Sequence, residues 1–274
     1  WASTVTEAGW AGFRNNLIQA GKLLTEAWEA NKDLPEAAAQ MIKVSMGIND
    51  KKGCIKWFNR AVAADISYKQ SYDNIKYALL PRWMGSNEEL VKLGNTCYET
   101  GMHKEGVAIQ LIQCLVETAK DPDPVWNKYF KAPGTLEKIE DCIYTSRIKL
   151  QGDTPTNRNY YHAYMAIYNY YVGNFDKCEE IIGKLGMATF SRCQQDIYTR
   201  FPRLVIRNIN VTEMINLFKM PYGAKLKQAE ICYNEGKAQE AMNIAKELMR
   251  NTKNMQERML FINLLIKYRR ASAR

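Results

Sequence analysis

Tyr161, Tyr164, Tyr168 and Tyr171 recur at spacings of three, four and three, which puts their phenol rings on one face of a helix. A tyrosine has a large apolar body and a polar tip. Such a row can form an aromatic, hydrogen-bonding wall for an extended peptide or other polymer, or it can pack against a neighbouring helix. Packing is the favoured reading for Tyr161 and Tyr168, whereas both readings stay open for Tyr160, Tyr164 and Tyr171. His162 lies inside this segment and His103 is the only other histidine, too few for a histidine-rich metal site. There is no Gly-x-Ser-x-Gly elbow, no phosphate-cradling glycine loop, no Gly-x-Gly-x-x-Gly and no His-Glu-x-x-His. Carboxylate pairs such as Asp121 with Asp123 and Glu179 with Glu180 read as solvated charge. The expectation is therefore a chain without catalytic residues, metal or cofactor. One alternative is a helical enzyme with a motif-free site around Tyr160–Tyr171 that includes His162 and Arg158.

The seven cysteines, Cys54, Cys97, Cys114, Cys142, Cys178, Cys193 and Cys232, form no closely spaced pairs. They read as small buried apolar residues, which points to a reducing, cytoplasmic setting. Export stays open, because the chain begins at Trp1 without a methionine. No apolar run approaches the roughly 18 residues that span a bilayer, so a soluble protein is expected. The net charge of +9 is uneven, with +8 on residues 151–274 and +1 on residues 1–150. The excess lies in Arg192, Arg200, Arg203 and Arg207, and again in Arg250, Lys253, Arg258, Lys267, Arg269, Arg270 and Arg274. A binder of anionic polymer or nucleic acid through basic carboxy-terminal helices is a second alternative. The favoured reading is a solvated outer face, since no aromatic-interleaved RNA motif accompanies the charge. Nucleic acid is not the expected partner.

The elements that position these residues announce themselves as a repeat. Tyr98, Gly101 and Gly106 share a spacing with Tyr170, Gly173 and Cys178 and with Tyr233, Gly236 and Ala241: a tyrosine three residues before a glycine, a small residue five after it. Each glycine falls between two apolar-periodic runs and suits a left-handed helix cap, so each copy predicts a helix-turn-helix unit. Ser86 with Glu89 and Asn210 with Glu213 mark helix starts, and strand signals are scarce. Paired helices that cannot bury their apolar faces alone stack on their neighbours, so the expected fold is all-α, an α-α superhelical solenoid with irregular insertions. One domain over residues 1–274 is expected: divergent repeats at about 17–80, clear repeats at about 86–118, 158–190 and 221–252, and a terminal capping helix at about 254–271. The turn glycines stand 72 and 63 residues apart, so insertions intervene. Their candidates are Asp121–Gly134, with three prolines, and Gln151–Asn157. Gly106, Cys178 and Ala241 are expected at close helix crossings.

The stretch from Leu93-Gly94 through Tyr98 and Gly101 to Gly106 resembles the tetratricopeptide-repeat family, as does Ala229 through Tyr233 and Gly236 to Ala241. Cys54, Phe58 and Ala61 resemble the family's second helix, and Ala64–Tyr68 its linker, with Ile66 where the family has proline. Pro81-Arg82-Trp83-Met84-Gly85-Ser86, with the Trp10 and Trp28 region, resembles a signature of bacterial tetratricopeptide-like proteins of unassigned function. The resemblance implies a non-catalytic protein-protein interaction module, a scaffold whose groove takes a peptide or protein partner. It places Lys92, Asn95, Tyr98, Tyr160, Tyr164, Tyr171, Lys227 and Tyr233 on that groove, and it makes His162 a core position. Lys92, Asn95 and Lys227 are similar to residues with which some members clamp a terminal carboxylate, although the full clamp is absent.

Overall fold

The structure, a computed structural model, describes residues 4–120, 127–200, 210–252 and 254–272. The described residues are helical with no strand. The chain divides into two compact units, residues 1–114 and 115–274. The first unit begins with α1 (Glu7–Ala30), α2 (Pro35–Gly47), α3 (Lys51–Ala64), α4 (Lys69–Ala78) and α5 (Asn87–Glu99), and α6 (Gln110–Thr118) runs across the boundary. The second unit holds α7 (Thr135–Tyr144), a π-helical stretch Thr145–Lys149, α8 (Pro155–Val172), α9 (Phe175–Leu185) and α10 (Met187–Arg200). It continues with α11 (Val211–Phe218), α12 (Gly223–Asn234), α13 (Ala238–Asn251) and α14 (Met255–Ser272).

Short polar side chains start these helices by accepting orphan amides of the first turn. The Oγ of Ser86 accepts from the Glu89 amide at 3.2 Å, and Oδ1 of Asn210 from the Glu213 amide at 3.2 Å, as their spacings predict. The Glu89 carboxylate instead pairs with Lys51 at 2.6 Å. Thr154 caps α8 through the Asn157 amide at 3.1 Å, with Pro155 in the first turn. The second break is thus confined to Gln151–Thr154, because proline at a first helical position removes only an amide that would lack a partner anyway.

Tyr-x-x-Gly has one structural meaning in all three copies. The amides of Gly101, Gly173 and Gly236 donate to the carbonyls of Tyr98, Tyr170 and Tyr233 at 3.0, 3.0 and 3.1 Å, with glycine φ of +66°, +84° and +78°. In the second and third copies the next amide closes the helix end, Asn174 onto the Asn169 carbonyl and Lys237 onto the Cys232 carbonyl, both at 2.8 Å. The following helix starts there. The first copy departs from this. The Thr100 hydroxyl accepts the Met102 amide at 3.2 Å and donates to the Cys97 carbonyl at 2.7 Å, and α6 begins only at Gln110.

Gly106 therefore lies in that connection with φ +75° and no close neighbour, which corrects its expected place at a helix crossing. The close approach belongs to Gly94, where a Cβ would stand 3.0 Å from both the Leu111 Cα and the Cys114 Cβ. Cys178 and Ala241, also expected at helix crossings, are fully buried. In the first unit Trp28 and Trp57 meet edge to face at 6.1 Å, with the Arg60 guanidinium 4.3 Å from the Trp57 ring, and Cys54 and Ala61 pack in the same core. Gly186, at φ +82°, ends α9 inside the expected 158–190 repeat, and α10 follows at once. Residues 121–126, the first six of the fourteen in the first expected insertion, lie outside the described residues.

Candidate functional site

α8 carries two chemically distinct faces, because polar and aromatic residues interleave along it at helical period. One face meets α10 and the π-helical stretch. The Tyr160 hydroxyl donates to the Asp196 carboxylate, and the Tyr171 and Tyr198 hydroxyls are 3.2 Å apart. The Arg147 guanidinium lies 5.3 and 5.5 Å from the Tyr160 and Tyr164 rings and donates to the Tyr164 hydroxyl at 3.3 Å. Tyr164 is buried and Tyr171 is 1% exposed. Phe130 stacks on Tyr168 at 6.1 Å and meets Tyr171 edge to face at 6.2 Å. Of the open readings, packing holds for Tyr164 and Tyr171, while Tyr160 keeps a half-buried position.

The third copy is covered too. Tyr233 is 2% exposed beneath α14, its ring 5.1 Å from that of Tyr268 and 4.8 Å from the Lys267 ammonium. Beside it, buried Glu230 accepts from Lys267 at 2.8 Å, from the Tyr268 hydroxyl at 2.6 Å and from the Tyr170 hydroxyl at 3.3 Å. The groove role of Tyr233 is thus corrected, since the helix that follows occupies its face. Lys227 is half-buried and reaches Asp176 at 2.7 Å and Glu179 at 3.5 Å. Burial works against its charge, but the hydrogen bond to Asp176 and the two carboxylates outweigh that and raise its pKa. In the first unit Lys92 is exposed, and Asn95 and Tyr98 are half-buried on the same side of α5. The Asn95 amide donates to the Val91 carbonyl at 3.0 Å, and the Tyr98 ring is 6.4 Å from His103.

The opposite face of α8 opens on a cleft of about 720 Å³ between α7, α8 and α9. Met165, Leu136 and Ile181 give it an apolar floor, and Arg158, Lys177 and Lys184 a basic rim. Lys177 and Lys184 both hold Glu180, at 2.9 and 2.6 Å, and their hydrogen bonds bring its carboxyl pKa down to about 2. Two cations on one carboxylate leave that corner net positive. Arg158 grips Asp153 at 3.1 Å. Tyr161, expected in packing, lines the cleft and donates to Glu140 at 2.6 Å. Desolvation, then that carboxylate, pushes its phenol pKa up. Desolvation and then Lys184 lower the His162 pKa, which keeps the imidazole neutral near pH 7.

Searches of family models, curated proteins and solved structures found no match to this chain. Function therefore rests on the geometry. Among the described residues no group of His, Cys, Asp and Glu could hold a metal ion, and no helix is long and apolar enough to cross a membrane. All seven cysteines are buried thiols outside any disulfide, buried as read from their spacing, and burial pushes the Cys142 and Cys178 thiols up to about 12. Of the basic residues, Arg192, Arg250, Arg258 and Arg269 are exposed, but Lys267 turns inward to Glu230. Arg203, Arg207, Lys253 and Arg274, and the side chains of Arg200 and Arg270, lie outside what is described. Sequence reasoning missed Lys177, Lys184, Asn169 and Asn174 in the cleft. A signal was there: Arg158, His162, Met165 and Asn169 follow the same helical period as the tyrosines, on the other face.

Proposed function

We propose that this chain is a helical-repeat interaction module of the tetratricopeptide kind, an α-α solenoid, and that the α7–α8–α9 cleft receives an extended segment of a partner protein. The cleft carries the reading, because it sets an apolar floor beneath a rim in which two lysines share one carboxylate. The segment that fits bears a Leu, Ile or Met anchor next to an Asp or Glu, the anchor displacing water from the floor and the acid meeting Lys177 and Lys184. Lys92, Asn95 and Tyr98 on α5 remain the groove assignment of the first unit. Selection of displayed peptides on the intact chain tests the cleft. Anchor-plus-acid sequences should be enriched and lose affinity at least about tenfold in the Lys177→Glu, Lys184→Glu double variant, in line with the cost of reversed charge at two partly exposed sites. Selected peptides that bind the double variant unchanged would remove the cleft from the reading.

His162 supports a second reading of the same cleft, as an acid-base site. A neutral imidazole near pH 7 can accept a proton. Turnover of a bound segment that vanishes in His162→Gln while binding persists would favour it.

A further inference from the structure

α14 is apolar on two opposite sides. Its inward side buries Phe261, Leu264 and Tyr268. Its outward side presents Met255, Met259, Ile262 and Ile266, which are 70, 52, 36 and 45% exposed. Contiguous exposed apolar residues on one side of a helix mark an interaction surface. The four follow one another at spacings of four, three and four, the a/d seam of a heptad. Such a seam is narrower than the roughly 100° stripe with which a helix lies on a broad core. The eleven steps from Met255 to Ile266, at about 1.5 Å each, give roughly 16 Å, room for one helix laid alongside.

The flanks are basic or neutral. Exposed Arg258 borders the seam beside Met259 and exposed Arg269 continues it past Ile266, while Gln256 and Asn263 form the other edge. Arg258 makes no ion pair among the described residues. Glu257, the helix's one carboxylate, sits on the inward side and accepts from the Thr252 hydroxyl.

We propose that the outward face of α14 docks an acidic amphipathic helix of a partner protein, apolar at its a and d positions and carrying Asp or Glu at its e and g positions. The seam takes the partner's apolar ridge, and Arg258 and Arg269 take its carboxylates. A second copy of this chain offers no acid there, because the exposed side of α14 has none. A bilayer surface selects a wide apolar face with aromatic anchors, which this seam lacks. The surface shares no helix with the α7–α8–α9 cleft, so the two readings stand or fall separately.

The test titrates the full chain with two synthetic heptad peptides, leucine at a and d, one with glutamate and the other with lysine at every e and g. Each repels its own kind and stays monomeric at neutral pH. The glutamate peptide should bind about tenfold tighter than the lysine peptide, and high salt should close the gap. Ile262→Asp should weaken binding at least tenfold with the helical spectrum and melting temperature unchanged. Arg258→Glu, a change at an exposed position, should shift the preference toward the lysine peptide. Equal binding of the two peptides, or binding of neither, overturns the proposal. So does a dimer of the unmodified chain that Ile262→Asp dissociates, which assigns the face to a second copy, or co-sedimentation with phosphatidylglycerol vesicles that Ile262→Asp abolishes, which assigns it to a membrane.

Discussion

Removing the Glu230 carboxylate should unfasten α14 from α12. Glu230 is 1% exposed and accepts from Lys267 at 2.8 and 2.9 Å, Tyr268 at 2.6 Å and Tyr170 at 3.3 Å. Both hydroxyls belong to fully buried rings, and burial followed by the Glu230 charge holds their pKa values well above the ordinary 10, so they remain protonated donors. Glu230→Leu strands them. An unmatched buried donor costs about 1–3 kcal/mol, the 3.3 Å bond belonging at the low end. Lys267 keeps about a fifth of its side-chain surface in water, so its lost partner adds on the order of 1 kcal/mol at most. The total is about 2–5 kcal/mol, reaching into the range for breaking a buried pair. For a unit of this size that lowers the melting temperature by roughly 4–20 °C. Glu230→Gln keeps an acceptor and should cost less, about 1–2 kcal/mol. Adding Lys267→Met to Glu230→Leu should recover part of the loss, since no ammonium is then stranded. Calorimetric melts of the four proteins decide it. A Glu230→Leu loss under about 1 kcal/mol, or a double variant no better than the single one, would refute the reasoning.

Three further outcomes follow from the packing and the charges. Gly94→Val should cost about 1–3 kcal/mol by overpacking against Leu111 and Cys114, whereas Gly106→Ala, strained in φ but in open space, should cost about 1 kcal/mol in thermal melts. The native thiols should resist iodoacetamide at pH 8 and all seven should react in denaturant, since every cysteine is buried and the Cys54 and Cys97 pKa values are raised to about 11. The His162 imidazole should titrate below its ordinary 6.5 by NMR and move up in Lys184→Gln. A base with a lowered folded-state pKa contributes stability above its unfolded pKa and loses it as pH falls through the folded one, so this group weakens the fold slightly below about pH 6.5.

Helix ends were legible in the sequence because they are written in local chemistry. Ser86, Asn210 and the three turn glycines act within a few residues of themselves, so spacing alone placed them. The length of the connection in the first copy was not legible. It depends on whether the residue after the glycine closes the helix, as Asn174 and Lys237 do, or hands its amide to a hydroxyl, as Met102 does to Thr100. The all-helical class followed from the same local signals.

Faces obey a different rule, and this is where the site reading parted from the structure. A tyrosine at helical period is partner-facing or buried according to what the next helix covers, which no local pattern records. Tyr171 faces Phe130 and Tyr198, and Tyr233 lies under Tyr268. Their hydroxyl tips then need acceptors inside the fold, and Asp196 and Glu230 supply them to Tyr160 and Tyr170. That makes the acids informative. An acidic residue such as Glu230, set among apolar helix neighbours and four positions before Asn234 on one side of α12, marks where a tyrosine face has been closed. Lys177, Lys184 and Arg158 crowd the other side of α8, where charges are paired but still solvated and the cleft stays open. Aromatic residues here hold the helices together, and the charged rim of the cleft stays open to solvent.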